Sequence, residues 1–153
     1  MIKDEYQKLK KLHSQLPEYE LLDHEFEICD IEKNRHILRQ IRRKIEERLE
    51  NIAMIIGGIL QPDTNLFSSM IECDAFTEEE KKELLEHYER LMTLYRGLLE
   101  ADLILEEKKE VETIKIIGEQ WPALRKKLVP IATKLKERWK SPGEVKEILE
   151  YLG

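Results

Sequence analysis

Glycine and proline are scarce in this chain, six and five among 153 residues, so few turns can be built and the regular elements must be long. Cysteine is scarcer still. Cys29 and Cys73 stand in neither a Cys-x-x-Cys nor a Cys/His spacing, which argues against a zinc ribbon or a disulfide framework and fits two reduced thiols in a cytosolic protein. The longest apolar run, Ile52 to Leu60, has nine residues, too few to span a bilayer, which needs about 20. The opening Met1-Ile2-Lys3-Asp4-Glu5 lacks the apolar core of a secretory signal, so a cytoplasmic location with no membrane partner is expected. No segment alternates with the period of two that marks a strand.

Charge, by contrast, is abundant. Charged residues make up 38 % of the chain and apolar residues 41 %, a balance that suits long, thin helical bundles with much solvated surface. The net charge of −6 disfavours general nucleic-acid binding but leaves room for a local basic face.

Apolar residues follow helical spacing nearly throughout. A first helix is expected over about residues 2–16, with Ile2, Tyr6, Leu9, Leu12 and Leu16 on one stripe and Pro17 ending it. No glycine or proline interrupts residues 18–56, and a 3-4 spacing from Leu21 to Ile59 predicts one long helix over about 18–59. Residues 61–76 form the connection, where Asn65 is placed to cap a turn or two through Leu66, Phe67, Met70 and Ile71. Thr77-Glu78-Glu79-Glu80 has the form of a capping box and opens a second long helix to about residue 120. Gly97 and Gly118 inside it mark places where a neighbour can approach closely. Trp121-Pro122 is read as the break before a helix over about 122–139, kinked at Pro130. Ser141-Pro142-Gly143-Glu144 caps a short final helix with Val145, Ile148, Leu149 and Leu152 inward. The expected fold is a single all-α domain over 1–153. It is an elongated bundle on two long antiparallel helices, with the shorter N- and C-terminal helices packed on one end.

The charges are segregated. Residues 18–32 carry seven acids and no base, residues 33–44 six bases and no acid, and residues 121–140 seven bases and one acid. In an antiparallel hairpin the basic 33–44 run meets Glu100 and Asp102. The basic 125–140 face (Arg125, Lys126, Lys127, Lys134, Lys136, Arg138 and Lys140) is expected to lie against the acidic 18–32 and 105–119 segments. Left uncovered, it is the candidate nucleic-acid face.

Catalytic signatures are absent. The residues three before His13, His24, His36 and His87 are Lys10, Leu21, Lys33 and Leu84, so no Glu-x-x-His of a di-iron bundle exists. Glu20, His24 and Glu27, at i, i+4 and i+7, are the remaining metal candidate; a solvated face is the plainer reading. No cofactor is implied. Gly57-Gly58 lacks the GK[ST] of a phosphate loop. Trp121 and Trp139 flank basic residues, as base-stacking residues do, but at helical spacing they read as core anchors. Lys44-Ile45, the Thr77-to-Glu80 cap and Arg96-Gly97-Leu98-Leu99 resemble the helical half of GINS replication subunits. The small β-domain that accompanies that half in the family has no counterpart in these residues, and nothing is carried over.

The expectation is a non-enzymatic helical interaction or scaffold protein. A nucleic-acid-associated factor is the alternative, and a metal-binding bundle the third reading. If the hairpin tip consists of two helices alone, its apolar residues need a partner. Ile52, Ile55, Ile56, Ile59, Leu60, Phe67, Leu84 and Leu91 then form a homodimer interface, or one with an unidentified protein.

Overall fold

A computed structural model describes residues 2–32, 35–141, 147 and 149–151. Among them every regular element is helical: α1 (Ile2–Leu12), α2 (Tyr19–Phe26), a 3₁₀ turn (Ile28–Asp30), α3 (Ile37–Leu60), α4 (Phe67–Asp74), α5 (Glu78–Ile104) and α6 (Glu107–Trp139). The all-α bundle is as the periodicity predicts. The segment capped by Ser141 to Glu144, including Val145, Ile148 and Leu152, lies outside the described residues. Leu149, expected inward, is instead exposed, as is Tyr151.

Three long helices, α3, α5 and α6, form the core, which departs from two helices over 18–59 and 78–120. The first of those runs is interrupted. Glu27 turns left-handed at φ 54°, its amide closing on the Asp23 carbonyl at 2.8 Å, and the Asp23 carboxylate accepts the Cys29 amide. His36 is also left-handed, at φ 53°, and α3 starts after it. The break lets Phe26, Ile28, Ile31, Ile37 and Leu38 all reach the core. A straight helix would point some of them outward, so burial of about 1.5–3 kcal/mol per side chain outweighs the lost helical bonds.

The second run ends at Ile104, because Leu105 adopts φ 61° and reverses the chain. The expected break at Trp121-Pro122 does not occur. Both Pro122 and Pro130 lie inside α6. Interior proline costs a helix about 3 kcal/mol. Here Val111, Ile114, Ile117, Trp121, Leu124 and Leu128 are buried along the opposite stripe and hold the helix together. The reversal at Leu105 also relocates the C-terminal helical segment. It was expected beside α1, and instead it runs back along the hairpin towards the tip.

The two ends are thus differently built. At the base, α1 packs on α2 and α3, and α2 on α3 and α6. α1 stops at Leu12, short of residue 16, yet Leu16 is still buried. Pro17 lies so close to Gly118 that a Cβ there would stand 2.5 Å from its ring. The Tyr6 hydroxyl donates to the Pro17 carbonyl, and burial pushes its pKa well up. At the tip, α4 packs on α3 and α6. Asn65 does not cap it through its side chain; Leu66 occupies that position. The Ser69 hydroxyl donates to the Gly58 carbonyl and accepts from the Asp63 amide, tying the connection down. The Thr77–Glu80 capping box forms, with bonds of 3.2 and 3.1 Å.

Candidate interaction surface

The predicted tip residues separate into two sets. Ile56, Ile59, Leu84 and Leu91 are buried in the chain's own core. Ile52 and Leu60 are partly buried against it. Ile55 and Phe67 remain exposed, Ile55 at 52 %. The tip is not a two-helix hairpin, since α4 and the far half of α6 close over it. Part of its apolar surface therefore finds cover within one chain, while Ile55, Leu66, Phe67 and Leu85 stay exposed.

What stays open is a groove beside the tip, between α3 and α6. Ile52, Ile55 and Ile56 from α3 face Trp121, Leu128, Val129, Ile131, Ala132 and Leu135 from α6, around a cavity of about 240 Å³. Helical spacing builds both walls: Ile52, Ile55 and Ile56 sit one turn apart, as do Leu128, Val129, Ala132 and Leu135. Trp121 forms the floor, fully buried and 6.2 Å from Phe26 between ring centres. It is a core anchor and offers no face to a base. Val129, more than half exposed, extends the apolar surface outward. The sequence pattern missed Val129, Ala132 and Leu135, because α6 was expected at the other end of the molecule.

The basic 125–140 face is divided. Arg125 donates to both oxygens of Glu25, at 2.7 and 3.0 Å, so its meeting with the acidic 18–32 segment is as expected. Lys134 pairs with Glu80, and Arg138 with Asp74 at 2.5 Å. Those acids come from α4 and α5. They are not in 105–119, which α6 itself contains and therefore cannot face. Lys134 and backbone bonding to Thr77 hold the Glu80 carboxyl down to about 2. Lys136 and Lys140 have only Glu137, on their own helix, at 3.9 and 3.5 Å. Lys126 and Lys127 are exposed and make no ion pair among the described residues. Trp139 stacks edge-on against Phe67 at 6.5 Å.

The 33–44 run behaves similarly. Arg42 points inward, is 1 % exposed, and pairs with Asp102 at 3.0 Å and Glu110 at 3.1 Å, the first as the hairpin predicts. Arg35, Arg39 and Arg43 line one side of the same helix end without an ion pair among the described residues.

The metal candidate does not assemble. Glu20 pairs with Lys3 at 2.8 Å, and α2 ends before Glu27, so the shared face of Glu20, His24 and Glu27 is cut. Among the described residues no group of three or more His, Cys, Asp or Glu side chains is placed to hold a metal ion. No helix among them is long and apolar enough to cross a membrane.

No family model, curated protein or solved structure matches this chain. The functional reading therefore stands on the geometry alone.

Proposed function

We propose that this chain is a non-enzymatic helical interaction or scaffold protein that works through the α3–α6 groove. The observation carrying this is an apolar cleft walled by two rigid helices, with Ile55 half exposed on its lip. Exposed apolar surface of this kind is costly to leave in water and marks binding sites. Affinity would come from burial of apolar side chains, and selectivity from the charges around them. Self-association belongs to the proposal as one form of it, with the contact moved from the tip to this groove. Two free thiols, Cys29 exposed and Cys73 half-buried, suit a reducing compartment such as the cytoplasm.

The test pairs wild type with Ile55→Glu, a change at a half-exposed position, with the helical circular-dichroism signal and urea midpoint of both proteins as the check on folding. Sedimentation equilibrium at micromolar concentration reads self-association, and tagged purification from the native host reads other partners. A stoichiometric partner, either a second copy or another protein, present with wild type and missing with the variant, is the expected result. A monomer that retains the same proteins as its variant would refute the reading.

A second reading, association with nucleic acid, is favoured by Arg35, Arg39, Arg43, Lys126 and Lys127, which make no ion pair among the described residues. Phosphate binding of this kind weakens steeply with salt. A mobility shift lost between low and moderate salt, and lost on replacing those residues with glutamate, would establish it.

A further inference from the structure

The rim of the groove is basic, and this says what it takes. Arg48 precedes Ile52 by four residues and Ile55 by seven, so helical periodicity puts it on the same face of α3. It is exposed and makes no ion pair among the described residues. Across the groove, Arg125 lines the wall with its charge answered by Glu25, and Lys136, which follows Ala132 by one turn, has only Glu137 of its own helix at 3.9 Å. No aspartate or glutamate occupies the lining of the groove. The α3 positions that continue this wall, Asn51 and Gly58, are uncharged. In a chain with 32 acidic residues and a net charge of −6, a carboxylate-free strip edged by cations is a departure from the rest of the surface.

We infer that the groove receives an amphipathic helix of another protein, with aliphatic residues one turn apart on its inner face and acidic residues along its flanks. This rests on the interaction reading above and names the partner's chemistry. Two long helices with a channel between them present ridges into which a third helix packs, and its side chains at i, i+3 and i+4 fill the channel. The α6 lining from Trp121 to Leu135 runs about 20 Å and the α3 lining from Ile52 to Ile56 about 6 Å at 1.5 Å per residue, so a docked helix follows α6 and meets α3 over about one turn. The apolar floor favours a helix over a nucleic-acid backbone. The basic rim disfavours a second copy docked groove to groove, because that docking would gather both copies of Arg48 and Lys136 around one groove. The chain's own Val145, Ile148, Leu149 and Leu152, interspersed with Glu144, Glu147 and Glu150, have the same pattern and are the competing occupant.

The probe is a fluorescein-labelled synthetic helix with leucine at helical spacing and glutamate elsewhere, beside a twin with lysine for every glutamate. Both are titrated by anisotropy into the full chain. The glutamate peptide is expected to bind at least about tenfold tighter than its twin, as electrostatic complementarity requires. Ile55→Glu and Arg48→Glu should each weaken it comparably, without moving the urea midpoint. Equal binding of the two peptides, lost on Ile55→Glu, would overturn the acidic partner while leaving the interaction reading intact. Failure of both peptides to bind also overturns the inference, while the partner purification above judges the broader reading separately. A tenfold rise in affinity on replacing Ile148 and Leu152 by glutamate in the full chain would mean that the chain's own segment fills the groove. A duplex oligonucleotide whose binding is lost on Ile55→Glu would give the groove to nucleic acid. Either of these results overturns it.

Discussion

Arg125 grips Glu25 with two hydrogen bonds, joining α2 to the middle of α6. The two partners are unequally exposed: the Glu25 side chain is 4 % accessible and that of Arg125 30 %. Removing one partner of such a pair is costly when the other stays buried and cheaper when it can reach water. Arg125→Gln is therefore expected to lower the urea midpoint more than Glu25→Gln. Replacing both residues by glutamine should cost less than the two single losses added together. Equal losses from the two single variants, fully additive in the double, would show that the pair contributes no coupling. Chemical denaturation of the four proteins measures this.

The all-α class was legible because apolar spacing records which face is buried, whereas the number and bounds of the helices were not. The breaks were hidden because residues that ordinarily continue a helix carry them. Glu27, His36 and Leu105 all adopt positive φ, where glycine or asparagine is the usual signal. The prolines misled in the opposite sense. Pro122 and Pro130 are strong local stop signals, yet tertiary burial along α6 overrides them. One reversal at Leu105, unmarked by composition, decides which end of the molecule receives the C-terminal half of α6. That in turn decides whether the tip is open. The capping box was legible from local chemistry, and the meeting of the basic 33–44 run with the segment of Asp102 from the hairpin, though not which arginine makes it.

Glu80 closes the capping box of α5 and also receives Lys134 of α6, so one carboxylate serves a helix start and a helix contact. Its folded pKa is held down to about 2 from an ordinary 4.5, chiefly by the Lys134 hydrogen bond and then by the Thr77 amide. A depressed carboxyl stabilises the fold above its unfolded pKa and ceases to do so as the pH falls through its folded value. The stability gap between wild type and Glu80→Gln should therefore be constant above pH 4.5 and close between about 4.5 and 2. Urea midpoints across that range test it. A gap that persists unchanged to the lower limit would show that Glu80 acts by shape, and not by charge.

Leu105 holds a left-handed backbone while 71 % of its surface is exposed, so burial does not compensate the strain. Its amide still closes on the Ala101 carbonyl at 3.2 Å, which any residue supplies. Glycine adopts this conformation freely but also gains freedom in the unfolded chain, which offsets part of the relief. Leu105→Gly is expected to stabilise the protein by about 0.5–1 kcal/mol. Thermal denaturation reads the change. A loss of stability would mean that Leu105 makes an apolar contact worth more than its strain.

The two helical glycines should respond oppositely to alanine. In an exposed helix interior, alanine is better than glycine by about 1 kcal/mol. At Gly97 nothing opposes that preference: an added Cβ would meet only the Thr113 methyl, at 4.0 Å, which is ordinary contact. At Gly118 the same atom would stand 2.5 Å from Pro17 Cγ and 3.0 Å from its Cβ. A proline ring has no rotamer by which to withdraw, so α6 or the 13–18 connection would have to move, and overpacking of this sort costs about 1–3 kcal/mol. Gly97→Ala is thus expected to raise the urea midpoint and Gly118→Ala to lower it. A second reading separates displacement from general damage. Pro17→Ala removes the ring, so Gly118→Ala should be much less harmful in that background. If Gly118→Ala were equally harmful with and without the ring, the close approach of α6 to Pro17 would not be what glycine serves at that position.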